Sequence, residues 1–327
     1  MFKKIFMSLL LSSAMTYPSL SADYYVSSAG LDSNNGLTTG TSWLTFEKAM
    51  TAMQSTMVAG DALYFNKGDT FTSADFTHVI SNTNCLSGLT RCTVGAYGTG
   101  ANPIINKSAD QVELFKLSGS AGWVFNDLDL RAVSGDVTTS IGIAVFAASS
   151  YPTIERVTFT DFGYGMLFDG AGGYNYGANI KDSYFDDNSQ GAILGNGVVN
   201  ASIFSNQITT GGLNPIGLTE AFNNYISDNI VIGATTTVTG IHIPYAAETT
   251  TSNNNTVNNN KVILLADASS AGIDIDTPDA VITNNQIILN SSLTECGNVR
   301  ATNTQTNNVC LSAEPNALDI STNWGVN

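Results

Sequence analysis

Two short patterns return in alternation along most of this chain, and a sequence with that property folds as stacked copies of one unit. The first opens on a glycine followed by alternating apolar residues, at Gly142, Gly165, Gly191, Gly217, Gly240 and Gly272. The second reads apolar-x-x-(Asn or small)-x-apolar and begins at Phe125, Ile154, Ile180, Ile203, Ile226, Val257 and Ile282, in steps of 29, 26, 23, 23, 31 and 25 residues. One copy of each falls in every period, so each period is a unit that buries its apolar face against its neighbours.

From residue 94 onward the units are short runs of Ile, Val, Phe and Thr with period-two alternation, separated by turns of Asn, Gly, Asp and Ser. Three such strands, at about 3.3 Å per residue, wrap once in roughly 23 to 30 residues, and successive wraps stack about 4.8 Å apart with parallel hydrogen bonding. Ile154, Val157 and Phe159 then lie over Ile180 and Phe185, followed by Ile203 and Ile208, then Ile226 and Val231. The fourth position of the second pattern reads Leu128, Val157, Ser183, Asn206, Asn229, Asn260 and Asn285. Four consecutive asparagines in one register predict a ladder of side-chain amides, at a turn where asparagine also tolerates left-handed backbone. A stack of this kind needs covered ends. Residues 41 to 57 have a clear helical period, with Phe46, Ala49/Met50, Met53 and Met57 on one face and Thr41 or Ser42 as cap; they suit the first end.

Lys3 and Lys4, an apolar stretch from Ile5 to about Ala14, and Leu20-Ser-Ala22 read as an export leader over residues 1–22. The stretch is shorter than the about 20 residues that a membrane-spanning helix needs, so a secreted or periplasmic chain without membrane insertion is expected. Losing the two lysines leaves 10 Lys+Arg against 27 Asp+Glu, a net charge near −17. That charge argues against nucleic acid and anionic membranes as partners, which are held through basic patches. Cys85 with Cys92, and Cys296 with Cys310, are spaced for two local disulfides in an exported chain; metal binding is the alternative, although neither pair has the Cys-x-x-Cys spacing. The expected organisation is a cap with the first strands over 23–93, repeats over 94–290, and a disulfide-tied tail over 291–327.

The opening Asp23-Tyr-Tyr-Val-Ser-Ser-Ala-Gly-Leu-Asp-Ser-Asn-Asn-Gly36 resembles the first strand and turn of many exported members of the right-handed parallel β-helix superfamily, which includes pectate lyases. So do Gly60-Asp-Ala-Leu-Tyr-Phe-Asn-Lys-Gly-Asp-Thr-Phe71 and Gly95-Ala-Tyr-Gly-Thr-Gly-Ala-Asn-Pro-Ile-Ile105. The resemblance implies an all-β, single-stranded right-handed parallel β-helix solenoid with an N-terminal capping helix and an extracellular polysaccharide laid along one sheet; a monomer is expected. It is weak for activity, because one scaffold hosts lyases, hydrolases, epimerases and non-catalytic surface proteins. The chain lacks the Asn-Thr-Asp, Asp-Asp, Gly-His-Gly and Arg-Ile-Lys set of polygalacturonase-like hydrolases and the Asp-Pro-His signature of alginate epimerases. Pectate-lyase-like chemistry also expects a basic residue on the groove, and none of the six glycine-opened strands supplies one.

Alternation from each opening glycine points Ala144 and Phe146, Leu167 and Asp169, Ile193 and Gly195, Thr219 and Ala221, His242 and Pro244, and Asp274 and Asp276 outward, and Glu220 inward. Burial of Glu220 would raise its pKa, as a general acid requires, whereas an early strand end would turn it to water. Three readings follow. A glycoside hydrolase would use Glu220 and Asp274, about 9.6 Å apart across two rungs, as acid and base, with His242 between and Asp276 supporting. A calcium-dependent lyase would ligate its ion through Asp274, Asp276 and Asp279. A non-catalytic adhesin or glycan binder would stack sugar rings on Tyr164, Tyr174, Tyr176 and Tyr245, with Asp169 beside them. The resemblance sets the enzyme readings slightly ahead of the binder. Asp32-Ser-Asn-Asn-Gly36 reads as a polar turn rather than a calcium loop.

Overall fold

The computed structural model describes residues 21–73, 79–109, 112–133, 138–146, 148–171, 173–210, 212–233, 239–244, 254–265, 271–290, 296–299 and 302–313. The expected export leader lies outside the described residues, apart from positions 21 and 22. Successive turns of the chain contribute strands to three long sheets, of 12, 10 and 9 strands among the described residues. Pairing between turns is parallel throughout; the short Leu86–Ser87 strand against Thr90–Tyr97 is antiparallel.

Each sheet contributes an inward column of apolar side chains. Phe125, Ile154, Ile180, Ile203, Ile226, Val257 and Ile282 stack in register in the first sheet. Leu130, Phe159, Phe185, Ile208, Val231, Val262 and Ile287 do so in the second. Phe115, Ile143, Met166, Ile193, Ile216, Ile241 and Ile273 do so in the third. All are buried, each worth roughly 1.5–3 kcal/mol against exposure. Phe159 and Phe185 stack at 4.6 Å with nearly parallel rings.

The asparagine ladder is present and longer than its four expected members. Asn206 donates from Nδ2 to Oδ1 of Asn229, Asn229 to Asn260, Asn260 to Asn285 and Asn285 to Asn308, each at 3.0 Å. The left-handed residue of this corner is the one before the ladder position: Asp127, Arg156, Asp182, Ser205, Asp228, Asn259, Asn284 and Asn307 all have φ between 50° and 59°. Asn206, Asn229, Asn260 and Asn285 are buried, Asn308 partly so, and all bridge rungs, so asparagine is required there for its amide rather than for its backbone tolerance. At another corner Asn224 and Asn255 make a second, shorter ladder at 3.1 Å.

The capping helix spans Phe46–Ser55, shorter than its periodic stretch, with Thr45 rather than Thr41 or Ser42 as N-cap. Asp32 accepts hydrogen bonds from the Leu44 and Thr45 amides and the Thr45 hydroxyl, fixing the polar turn to the helix start. Phe46 packs on Phe65 and Phe115, which closes the first end of the core. Both disulfides form, Cys85–Cys92 and Cys296–Cys310, with α-carbons 4.9 and 5.8 Å apart, so these cysteines are not metal ligands.

Candidate functional site

The third sheet carries the surface on which a ligand would lie. Register links its outward positions into one column: Lys116, Ala144, Leu167, Leu194, Gly217, His242 and Asp274. A parallel column two residues on includes Phe146 beside Asp169 and Asn196 beside Thr219, with Pro244 and Asp276 just past their strand ends. The two columns enclose a cavity of about 530 Å³, whose floor is Leu167, Leu194 and Gly217 and whose end is His242 and Pro244. Asn214 lines the near side, and Asp169, Asn196 and Thr219 the far side.

Expected faces hold along the strands of five rungs, with Thr219 outward as expected, and fail in the Gly191 rung. Ile193 and Gly195 point inward and Leu194 and Asn196 outward; Ala221 is buried in the core. The residue that turns the corner into each groove strand forms a column of its own, one place before the buried isoleucines. That place is held by Gly142, Gly165, Gly240 and Gly272, but by Ala192 and Pro215 in the two intervening rungs. Gly191 and Gly217 are therefore not equivalent to the other glycines.

Glu220 changes most. Leu218 takes the inward position, the strand ends at Thr219, and Glu220 follows half-exposed in the left-handed region with φ 47°. Asp274 is in register with Gly217 through His242, so Glu220 sits three residues farther along as well as two rungs away. At about 3.3 Å per residue and 4.8 Å per rung their backbones are about 14 Å apart, against roughly 6.5–9.5 Å between the carboxyls of an inverting glycosidase. The structure does not bring Glu220 and Asp274 together as acid and base.

It does bring Asp274 to His242. Their side chains meet at 3.4 Å between Oδ2 and Nε2, both about a quarter exposed. Oδ1 of Asp274 is buried with no hydrogen-bond donor among the described residues. Burial pushes the Asp274 carboxyl above its ordinary pKa; His242 opposes the shift and Asp276 adds to it. Asp276 is exposed on the same face, about 6.6 Å away between α-carbons at the usual strand rise. Asp279 departs from both. It occupies a left-handed corner with φ 57° beyond the strand, and among the described residues no three His, Cys, Asp or Glu side chains converge to hold a metal ion. The expected calcium set of Asp274, Asp276 and Asp279 is not assembled.

Lys116 was missed because its strand, Glu113–Ser118, opens without a glycine. It is the cation of the column, but its ammonium is committed to Glu113 at 2.7 Å and lies 4.7 Å from the Phe146 ring centre. Tyr174 and Tyr176 do come together, rings 6.4 Å apart, with Phe222 5.6 Å from Tyr174. Tyr174 packs over Gly197, the residue after Asn196 of the far side, and lies next to the cavity lining rather than in it. Tyr164 stands apart at the opposite end of its strand, beside Ile141 and Gly191. Tyr245 lies outside the described residues. Asp169 accepts from the Ala171 amide at 2.8 Å and so holds the turn that leads to the tyrosines.

The sequence matches the family described as "Right handed beta helix region" over residues 116–287. The chain belongs to the right-handed β-helix family. A search of curated proteins finds no match. Among solved structures it is similar to a rhamnogalacturonan lyase, with 15% identity, a TM-score of 0.63, and coverage of 88% of this chain and 87% of that one. It is also similar to a lacto-N-biosidase of family GH136 from Eubacterium ramulus, with 13% identity, TM-score 0.58, and coverage of 89% and 68%. Pectate lyase Pel9A matches with 14% identity, TM-score 0.53, and coverage of 90% and 78%. At such identities the likeness is one of fold.

Proposed function

We propose that this chain is an exported polysaccharide-active protein that binds an extended neutral glycan along the third sheet and hydrolyses it at Asp274. One observation carries the reading: a half-buried carboxyl with raised pKa stands against an imidazole at the end of a 530 Å³ groove. A raised pKa favours the protonated form, which can give its proton to the leaving glycosidic oxygen. Asp276, two residues on along the same face and about 6.6 Å away between α-carbons, takes the proton of the water whose oxygen bonds to the anomeric carbon, a spacing of the order that leaves room for that water. His242 positions Asp274 through the contact at Oδ2.

The known activities of the similar structures are consistent with a glycan ligand, and the groove's chemistry selects among them. Lys and Arg are absent from the described lining of the cavity, while Asp169 is part of it. A uronate chain would meet uncompensated negative charge there, which disfavours both acidic substrates and lyase chemistry. A second reading, glycan binding without cleavage, is favoured by the aromatic cluster of Tyr174, Tyr176 and Phe222 beside the groove.

The test is release of reducing ends from a panel of neutral and uronic polysaccharides, with and without calcium. Asp274→Asn is expected to lower the rate at least about 100-fold, the usual contribution of a general acid, and Glu220→Gln to leave it within about twofold. Full activity in Asp274→Asn sinks the assignment. Retention on a polysaccharide gel without product moves the function to binding.

A further inference from the structure

We infer that the groove is built for a glycan carrying small acyl groups, of acetyl size, rather than for a bare polyhydroxylated chain. The inference rests on the neutral-glycan reading above and names its substrate class.

The middle of the groove floor offers a sugar hydroxyl no partner. Leu167 and Leu194 stand outward in adjacent rungs, and the next position is Gly217. Gly217 has no side chain, and Leu194 leans into its space: a β-carbon there would lie 2.6 Å from Leu194 Cδ2. One leucine thus covers two rungs. Phe146 and Pro244 extend the apolar lining. Hydrogen-bonding groups are confined to the margins, at Asn214 on one side, Asp169, Asn196 and Thr219 on the other, and His242 at the end.

Pressing hydroxyls on aliphatic carbon without a partner costs about 1–3 kcal/mol each. An aliphatic floor is also unlike the flat aromatic platforms that accept the faces of sugar rings. A methyl group reverses the sign, contributing about 0.8 kcal/mol per buried carbon unit. An ester or amide carbonyl beside that methyl is an acceptor, and the side-chain amides of Asn196 and Asn214 are donors at the right margins. The floor is continuous over Leu167, Leu194 and Gly217, so the acyl-bearing residue sits just before the bond presented to Asp274.

The experiment uses the full-length mature Asp274→Asn protein, which holds substrate without turnover. Its affinity is measured by calorimetry for soluble oligosaccharides of acetylated xylan and acetylated glucomannan, before and after removal of acetyl groups with mild alkali. Tighter binding of an acetylated form by roughly tenfold is expected, the range for one methylene-sized group in an apolar pocket. Adding Leu194→Asn, which keeps the side-chain size on an outward strand position, should abolish that preference, and adding Glu220→Gln should preserve it. Equal affinity for both forms, or a preference that survives Leu194→Asn, overturns the acyl inference while leaving the glycan reading intact. Binding of neither form overturns both.

Discussion

Replacing Asn229 with alanine removes four hydrogen bonds from the middle of the interior ladder. Its Oδ1 accepts from the backbone amide and from Nδ2 of Asn206, both at 3.0 Å. Its Nδ2 donates to the Ile203 carbonyl at 2.9 Å and to Asn260 Oδ1 at 3.0 Å. Alanine leaves the Asn206 amide, one hydrogen of its Nδ2 and the Ile203 carbonyl without these partners inside the solenoid. A hydrogen bond is worth about 1 kcal/mol net, and an orphaned buried group costs about 1–3 kcal/mol. Allowing for a water in the vacated space and for non-additivity, the loss is about 3–5 kcal/mol. With a urea slope near 3 kcal/mol per molar, the unfolding midpoint by far-ultraviolet circular dichroism falls by roughly 1 M or more. Asn229→Asp separates the amide from the cavity. It restores the size and the acceptor but sets an anion against Asn260 Oδ1, so it is as unstable as alanine at neutral pH. Its folded-state pKa is then above the unfolded value, and the deficit shrinks as pH falls through the folded pKa. If Asn229→Ala shifts the midpoint by less than the equivalent of about 1 kcal/mol, the ladder is an ornament of a core held by its isoleucines.

Other consequences concern the groove. Asp274 has a folded-state pKa above its ordinary value, so its burden on stability is absent at pH below the unfolded carboxylate range and grows as pH rises through the folded pKa. Asp274→Asn is therefore expected to melt higher than the parent at neutral pH and level with it in acid, even as activity is lost; a lower melting temperature at neutral pH would show that the His242 contact outweighs burial. Gly240→Ala places a β-carbon 2.4 Å from Val262 Cγ1 and 2.7 Å from the Gly272 carbonyl. Because the second neighbour is backbone, a loss of about 1–3 kcal/mol in urea unfolding is expected, whereas Ala192→Gly, at the same corner, costs about 0.5–1 kcal/mol.

The difference between those two corners also explains what was legible in the sequence. A parallel solenoid demands the same kind of residue at an inward position in every rung, because each side chain packs on its counterpart above and below. That demand made the Ile154 column and the Asn229 ladder readable before any coordinates. The corner into the groove strand makes a weaker demand, since Ala192 and Pro215 satisfy it as well as glycine does. Counting faces from glycine was therefore right where the corner is truly glycine, at Gly240 and Gly272, and this is why His242 and Asp274 stand where they were expected. The same count failed at Gly191, where a slip of one residue exchanges inside for outside; Gly217 lies two residues past its corner at Pro215, which keeps the faces but shifts the column. The one-residue slip sent Leu194, which makes the floor, into the core, whereas Glu220 reads as a buried acid only if its strand runs past Thr219, where it ends. Counting instead from Ile193, Ile216, Ile241 and Ile273, whose burial is non-negotiable, puts all four strands in phase. In a fold of this type the active face is best located from the residues that cannot face it.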